Sequence, residues 1–193
     1  RDENKFQSGD EIKGGGPRLF LGAAASPFSS PVEMRPYRLA KKVAAGADFI
    51  QTQMIFDMDI FKRYMEKVVK LGLHEKIFIL AGLGPLKSTP MARFLQNEVP
   101  GIEVPVHLLE RMDAAVKGID KEDKDARRDA WRAEGIKLCI EQIQEVREIE
   151  GVAGVHIMAI EWEAAIKPIV EGAGLMPRPE VDSTLAFPAE LYA

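Results

Sequence analysis

A chain of 193 residues that is 46% hydrophobic and 29% charged, with a formal net charge of −4 and a pI near 5.5, has the balance of a globular α/β protein and no excess of basic charge for nucleic acid. Cys139, the one cysteine, excludes a disulfide framework and a cysteine-built zinc site. No apolar run approaches the roughly 20 residues of a membrane span and no secretory leader pattern opens the chain, so composition predicts a cytoplasmic protein without nucleic-acid or membrane partners.

The chain begins at Arg1 on a polar stretch, which fits a piece of a longer protein. Residues 1–17, ending in Gly14-Gly15-Gly16-Pro17, read as a lead-in loop. Residues 18–25 (RLFLGAAA) form a short strand, followed by a turn-rich loop, Ser26-Pro27-Phe28-Ser29-Ser30-Pro31. Over 36–45, Leu39 and Val43 alternate with Arg38, Lys41 and Lys42 at helical spacing, and Gly46 suits the left-handed residue that stops such a helix. A second strand then runs over 49–56. Its unbroken apolar residues suit a parallel strand covered on both faces, yet Gln51, Thr52 and Gln53 interrupt its far end. Ligands of parallel α/β folds bind at the carboxyl ends of the strands, which makes these residues candidates. Taken alone, the amides serve equally well to hydrogen-bond neighbouring loops.

An amphipathic helix over 59–72 ends at Gly72, and 76–83 (KIFILAGL) is the third strand. The loop 84–90 (GPLKSTP) faces the ligand side. A short helix spans 91–98, and a further helical segment runs from Val104-Pro105 through Met112, a residue type that commonly fills cores. The mixed-charge run 117–133 reads as a solvated loop and exposed helix start. That helix continues over 126–149 with Trp131, Ile136, Cys139, Ile140, Ile143 and Val146 inward, so Cys139 is expected to be an inert core thiol. Residues 151–160 (GVAGVHIMAI) supply the fourth strand, and Glu161-Trp162-Glu163 stands at its ligand-side end, where acids commonly cap a coming helix. The last helix spans 164–172, and the proline-rich residues 176–193 read as a tail. His74, His107 and His156 share no metal-binding spacing, and no glycine-rich dinucleotide or P-loop motif is present. The tally is four strand–helix units without a hairpin signal, half of an eight-unit barrel of about 250 residues.

The string Ala45-Gly46-Ala47-Asp48-Phe49-Ile50-Gln51-Thr52-Gln53, then Phe56-Asp57 and an amphipathic helix, resembles the sixth barrel strand of the methylenetetrahydrofolate reductases, flavoproteins that reduce the methylene group of 5,10-methylenetetrahydrofolate to a methyl group. The resemblance runs from about residue 20 to 177. It implies a (β/α)8 TIM-barrel type fold of which this chain, over 18–175, covers strands five to eight. It implies that Gln53 binds the pterin and that Met112 lies against folate or nicotinamide. It further implies that Lys42 and the backbone at Ala47 contact the flavin, with the 18–31 strand and loop, including Ser26, helping to hold it. The cofactor implied is FAD, with FMN as the variant, and the electron donor NADH, NADPH or another reductant. Gly82-Leu83-Gly84-Pro85 is similar to the family's seventh-strand ending.

Two departures stand out. Ser26 replaces an aromatic or amide residue, and Met158-Ala159-Ile160-Glu161-Trp162 replaces Tyr-Thr-Leu-Asn-Arg, setting an acid near the place of a base that would meet the folate tail. The general-acid glutamate of strand one and the flavin-contacting acid of strand four fall outside this sequence. The resemblance therefore leads to folate as substrate and to a missing barrel half, or a partner subunit in a homo- or hetero-oligomer. A non-catalytic folate- or pterin-binding subunit of a methyl-transfer complex stands as the alternative.

Overall fold

Alternation along the second strand decides how the sheet is placed. In β2 (Phe49–Met54) the side chains of Ile50, Thr52 and Met54 are buried while Phe49, Gln51 and Gln53 stay partly open, because successive residues of a strand point to opposite faces. The computed structural model describes residues 3–16 and 19–177. It joins β2 to β1 (Gly22–Ala25) on one side and to β3 (Phe78–Leu83) on the other, with β4 (Gly154–Ile157) beyond β3. All three pairings are parallel, in the order β1-β2-β3-β4. The four expected strand–helix units are therefore present, each strand lying beside the next in sequence. The expected cover on both faces is not found among the described residues: one face packs under helices and the other is open.

The helices are α1 (Arg35–Ala44), α2 (Met58–Lys70), α3 (Thr89–Glu98), α4 (Val106–Ala115), α5 (Lys124–Arg147) and α6 (Ile166–Gly172). Local chemistry sets their ends. Asp57 accepts from the Ile60 amide at 2.8 Å and Ser88 from that of Met91 at 3.2 Å, each filling one of the open donors of a helix start. Asp123 caps α5 in the same way through the Ala126 amide, so the charged run becomes helical from Lys124 onward. Gly46, at φ +88°, ends α1 as expected.

Two cores result. The first lies between the covered sheet face and helices α1, α2, α5 and α6, and includes Leu39, Ile50, Phe61, Ile79, Leu83, Cys139, Ile143 and Ile169. The second lies at the carboxyl ends of the strands, where Met54, Phe56 and Leu86 meet α3, α4 and Leu138 of α5. Arg111 of α4 ties this layer to α5, its guanidinium reaching Glu134 at 2.6 Å and Glu141 at 2.5 Å.

The strands are shorter than the apolar runs that contain them. Leu19 and Phe20 precede the ladder, Phe20 stacking on Phe49 with ring centroids 5.3 Å apart. Ile55 and Phe56 lie past the end of β2 in a segment that turns toward α2. The tail expected over 176–193 falls outside the described residues except for Met176 and Pro177. No helix among the described residues is long and apolar enough to cross a membrane.

Candidate functional site

The open face of the sheet and the loops at the carboxyl ends of β1 and β2 enclose a groove of about 410 Å³. Ser26, Arg38, Lys42, Gln51, Gln53 and His156 border it, with Met158 at one side. Each arrives by a different route. β1 ends in a loop drawn tight by the Ser26 and Ser29 hydroxyls, 2.5 Å apart, and by Arg35, whose guanidinium donates to the carbonyls of Ser29 and Ser30. α1 carries Arg38 and Lys42 on the turn facing that loop, and the Lys42 ammonium donates to the Ala24 carbonyl at the end of β1.

The end of β2 is irregular. Gln51 stands opposite Leu80, and the next matched pair is Met54 with Gly82, so β2 holds an extra residue against β3. A bulge of this kind breaks the ladder and re-aims side chains. Thr52 repairs the break: its hydroxyl accepts from the Gly82 amide at 2.8 Å and donates to the Gln53 carbonyl at 2.9 Å. Gly82 is required by the same crowding, since a Cβ there would come within 2.9 Å of the Gln53 carbonyl oxygen and 2.6 Å of the Met158 methyl. Gln53 is pinned in turn, its Oε1 accepting from the Met54 amide at 2.9 Å. That fixes which end of the amide is oxygen, and leaves both amide protons and the second oxygen lone pair for a ligand.

Three of the five expected site residues, Ser26, Lys42 and Gln53, are brought together here. Ala47 is not with them. It precedes β2 at the opposite end of the strand, its amide donating to the Lys42 carbonyl at 3.1 Å and its methyl packing on the first core. Met112 is not with them either: it is 0% exposed in the second core, with its carbonyl accepting from the Trp131 indole at 3.0 Å. Met112, which the resemblance sets against a bound folate or nicotinamide, is packed where α4 lies between α3 and α5 and does not border this groove.

Glu161 and Glu163 are exposed and outside the groove. Glu161 takes a left-handed backbone, φ +51°, in the turn after β4, and Trp162 packs on the first core with Arg132 5.3 Å above its ring. Neither acid caps the following 3-10 turn through its side chain. His156, Arg38 and Met158 were not singled out as site residues by sequence. The signal for His156 lay in the period-two alternation of β4, which becomes informative only once Gly82 is known to stand opposite it.

Away from the groove, burial pushes the Cys139 thiol up to about 12, which makes it unreactive at neutral pH as expected for a core thiol. The Tyr64 phenol, near Ser26 and Lys42, is raised by burial and stays protonated. Among the described residues no group of three His, Cys, Asp or Glu side chains is arranged to hold a metal ion.

Comparison with known proteins finds that residues 23–174 match the family model described as methylenetetrahydrofolate reductase. Methylenetetrahydrofolate reductase 2 of Saccharomyces cerevisiae is 30% identical over 84% of this chain, and methylenetetrahydrofolate reductase 1 of Schizosaccharomyces pombe 29% identical over 72%. The matched regions make up 26% and 21% of those relatives, so the chain spans about a quarter of their length. Among solved structures, an uncharacterised protein from Clostridium thermocellum that binds two copies of 5-methyl-5,6,7,8-tetrahydrofolic acid superposes with a TM-score of 0.53. At 15% identity, with 82% of this chain and 53% of that one covered, it is a likeness of fold.

Proposed function

The chain belongs to the methylenetetrahydrofolate reductase family, and from that membership we propose that its groove binds a folate and serves the flavin-dependent reduction of 5,10-methylenetetrahydrofolate to 5-methyltetrahydrofolate. The observation that carries the reading is Gln53, an amide locked by its own strand at the carboxyl end of a parallel sheet, within a groove that also holds Lys42 and Ser26. A locked amide recognises a heterocycle edge without a large ordering cost, since its rotamer is already fixed. The described units correspond on this reading to barrel strands five to eight. The remaining units, from an upstream segment or a partner subunit, complete the ring and bring the general acid.

The residues present fit the phosphate-bearing side of a flavin. Arg38 has no carboxylate partner among the described residues, and Lys42, tied to the Ala24 carbonyl, keeps two ammonium protons free. Two cations beside a loop of small residues suit an anionic group at close approach. Bound there, FAD or FMN supplies the hydride chemistry, drawn from NADH, NADPH or another reductant. The chain's own contribution is binding and orientation: Lys42 and Arg38 meet the cofactor anion, Ser26 shapes the loop, and Gln53 orients the pterin. Ala47 acts through its peptide, holding the turn that carries Lys42. Met112 supports the α4 layer from within the second core.

The test separates the two ligands in the full-length protein. Gln53→Ala is expected to lower folate turnover about tenfold or more with flavin content unchanged, the scale of a lost buried hydrogen bond. Lys42→Ala is expected to do the reverse, releasing flavin while leaving folate affinity close to that of the parent. Equal loss of flavin and turnover in Gln53→Ala overturns the assignment of Gln53. Protein that binds folate but carries no visible flavin absorbance favours a non-catalytic folate-binding subunit of a methyl-transfer complex.

A further inference from the structure

We infer that His156 is a ligand-binding residue of this groove, presenting an Nε2–H donor to an acceptor atom on the edge of the bound heterocycle; the inference rests on the folate reading and deepens it. His156 stands on β4 directly opposite Gly82, so no side chain of β3 separates it from the bulged end of β2. Gln51 and Gln53 border the same groove.

Nδ1 of His156 is enclosed and has no hydrogen-bond partner. His74, in the turn after α2, also has an enclosed Nδ1 without a partner, but of the two rings only that of His156 borders the groove. A buried N–H left without an acceptor is rarer in folded proteins than a buried acceptor left unfilled, so the tautomer with a bare Nδ1 and the proton on Nε2 is the one this site favours. Nε2 is not among the enclosed unpartnered atoms and makes no hydrogen bond to any described residue. Because His156 borders the groove, a molecule bound there is the partner open to that proton. A partly buried polar ring with this pattern calls for a partner that the folded chain does not itself provide.

The surroundings say what that partner is. Gln53 has given one oxygen lone pair to the Met54 amide and offers two amide protons. With Lys42 and Arg38 given to the cofactor anion, Gln53 and His156 remain as donors, and among the described residues no carboxylate borders the groove. A donor-rich wall beside the Met158 thioether selects a flat ring with acceptor atoms on its edge and an apolar face. The oxo group and unprotonated ring nitrogens of a pterin have that character. His156 and Gln53 then approach one ring from strands two places apart, which fixes its rotation in the groove as a single donor could not.

The experiment uses the full-length protein and 5-methyltetrahydrofolate as probe. Calorimetric titration is expected to show binding weakened roughly tenfold in His156→Ala, as for a lost buried hydrogen bond, and restored to within about threefold in His156→Gln, whose amide nitrogen reaches the place of Nε2. Histidine 15N spectra of the parent protein are expected to show the Nε2–H form, with the Nε2 resonance moving on addition of the probe. Unchanged affinity in His156→Ala overturns the inference and leaves the folate reading standing, as does an Nδ1–H tautomer in the parent. No binding by the parent protein overturns both.

Discussion

Thr52 and Gln53 share one strand end but do different work. Gln53 turns its free amide protons toward the groove, whereas Thr52 is 3% exposed and spends its hydroxyl on the backbone, accepting from Gly82 and donating to Gln53. Thr52→Val keeps the shape and removes the oxygen, leaving the Gly82 amide buried and unpaired. The expected cost is about 1–3 kcal/mol in denaturant unfolding, with Thr52→Ser close to the parent. An equal midpoint for Thr52→Val and the parent would show that the bulge is held by other contacts. Sequence exposed the polar trio Gln51-Thr52-Gln53 at a strand end but not this division, because which member of an alternating pair faces the ligand depends on which face the helices cover. The Glu161 position was legible only in part. Glu161 takes a left-handed backbone, which asparagine accepts more readily than glutamate, so nothing in the residue itself marks this turn.

At the scale of elements, the sequence carried the units whose ends are written in local chemistry. α2 runs between the Asp57 cap and Gly72 at φ +63°, and both signals stand in the sequence. β1 and β4 are shorter than the apolar runs predict, because Leu19, Phe20 and Ile160 have strand-forming side chains but fall outside the strands. The orientation of α4 was not legible at all. It is set by packing on α3 and by Arg111, which clamps it to Glu134 and Glu141 of α5, and these contacts are distant in sequence. The Arg111 hydrogen bond holds Glu141 below the usual carboxylate range. A carboxyl whose folded value is depressed contributes stability above its unfolded value and loses it as pH falls through the folded one. Arg111→Met is therefore expected to lower stability near neutral pH, by about 1 kcal/mol for so solvent-accessible a pair, and to differ less from the parent in acid. Thermal melts at several pH values check this; a gap that stays constant into acid would remove Glu141 from the account.

The whole molecule poses a problem that its parts do not. Among the described residues β1 and β4 each pair on one side only, so both edges of the described sheet lack a neighbouring strand. The uncovered face carries Phe20, 66% exposed, stacked on Phe49 and 6.4 Å from Phe78, itself 60% exposed. Parallel sheets in soluble proteins are covered on both faces, and exposed edges beside an apolar patch invite association. Closing four strands into an eight-strand ring would remove both faults at once: the edges pair, and the phenylalanines become the floor of a packed barrel interior. Residues 1–193 expressed alone are thus expected to associate, or to need a second set of strand–helix units for stability. Size-exclusion chromatography with light scattering reads the outcome, and Phe20→Lys with Phe78→Lys is expected to weaken the association. A monodisperse monomer of 21.4 kDa with a cooperative thermal transition would mean that the open face is stable in water, and the half-barrel reading would then fall.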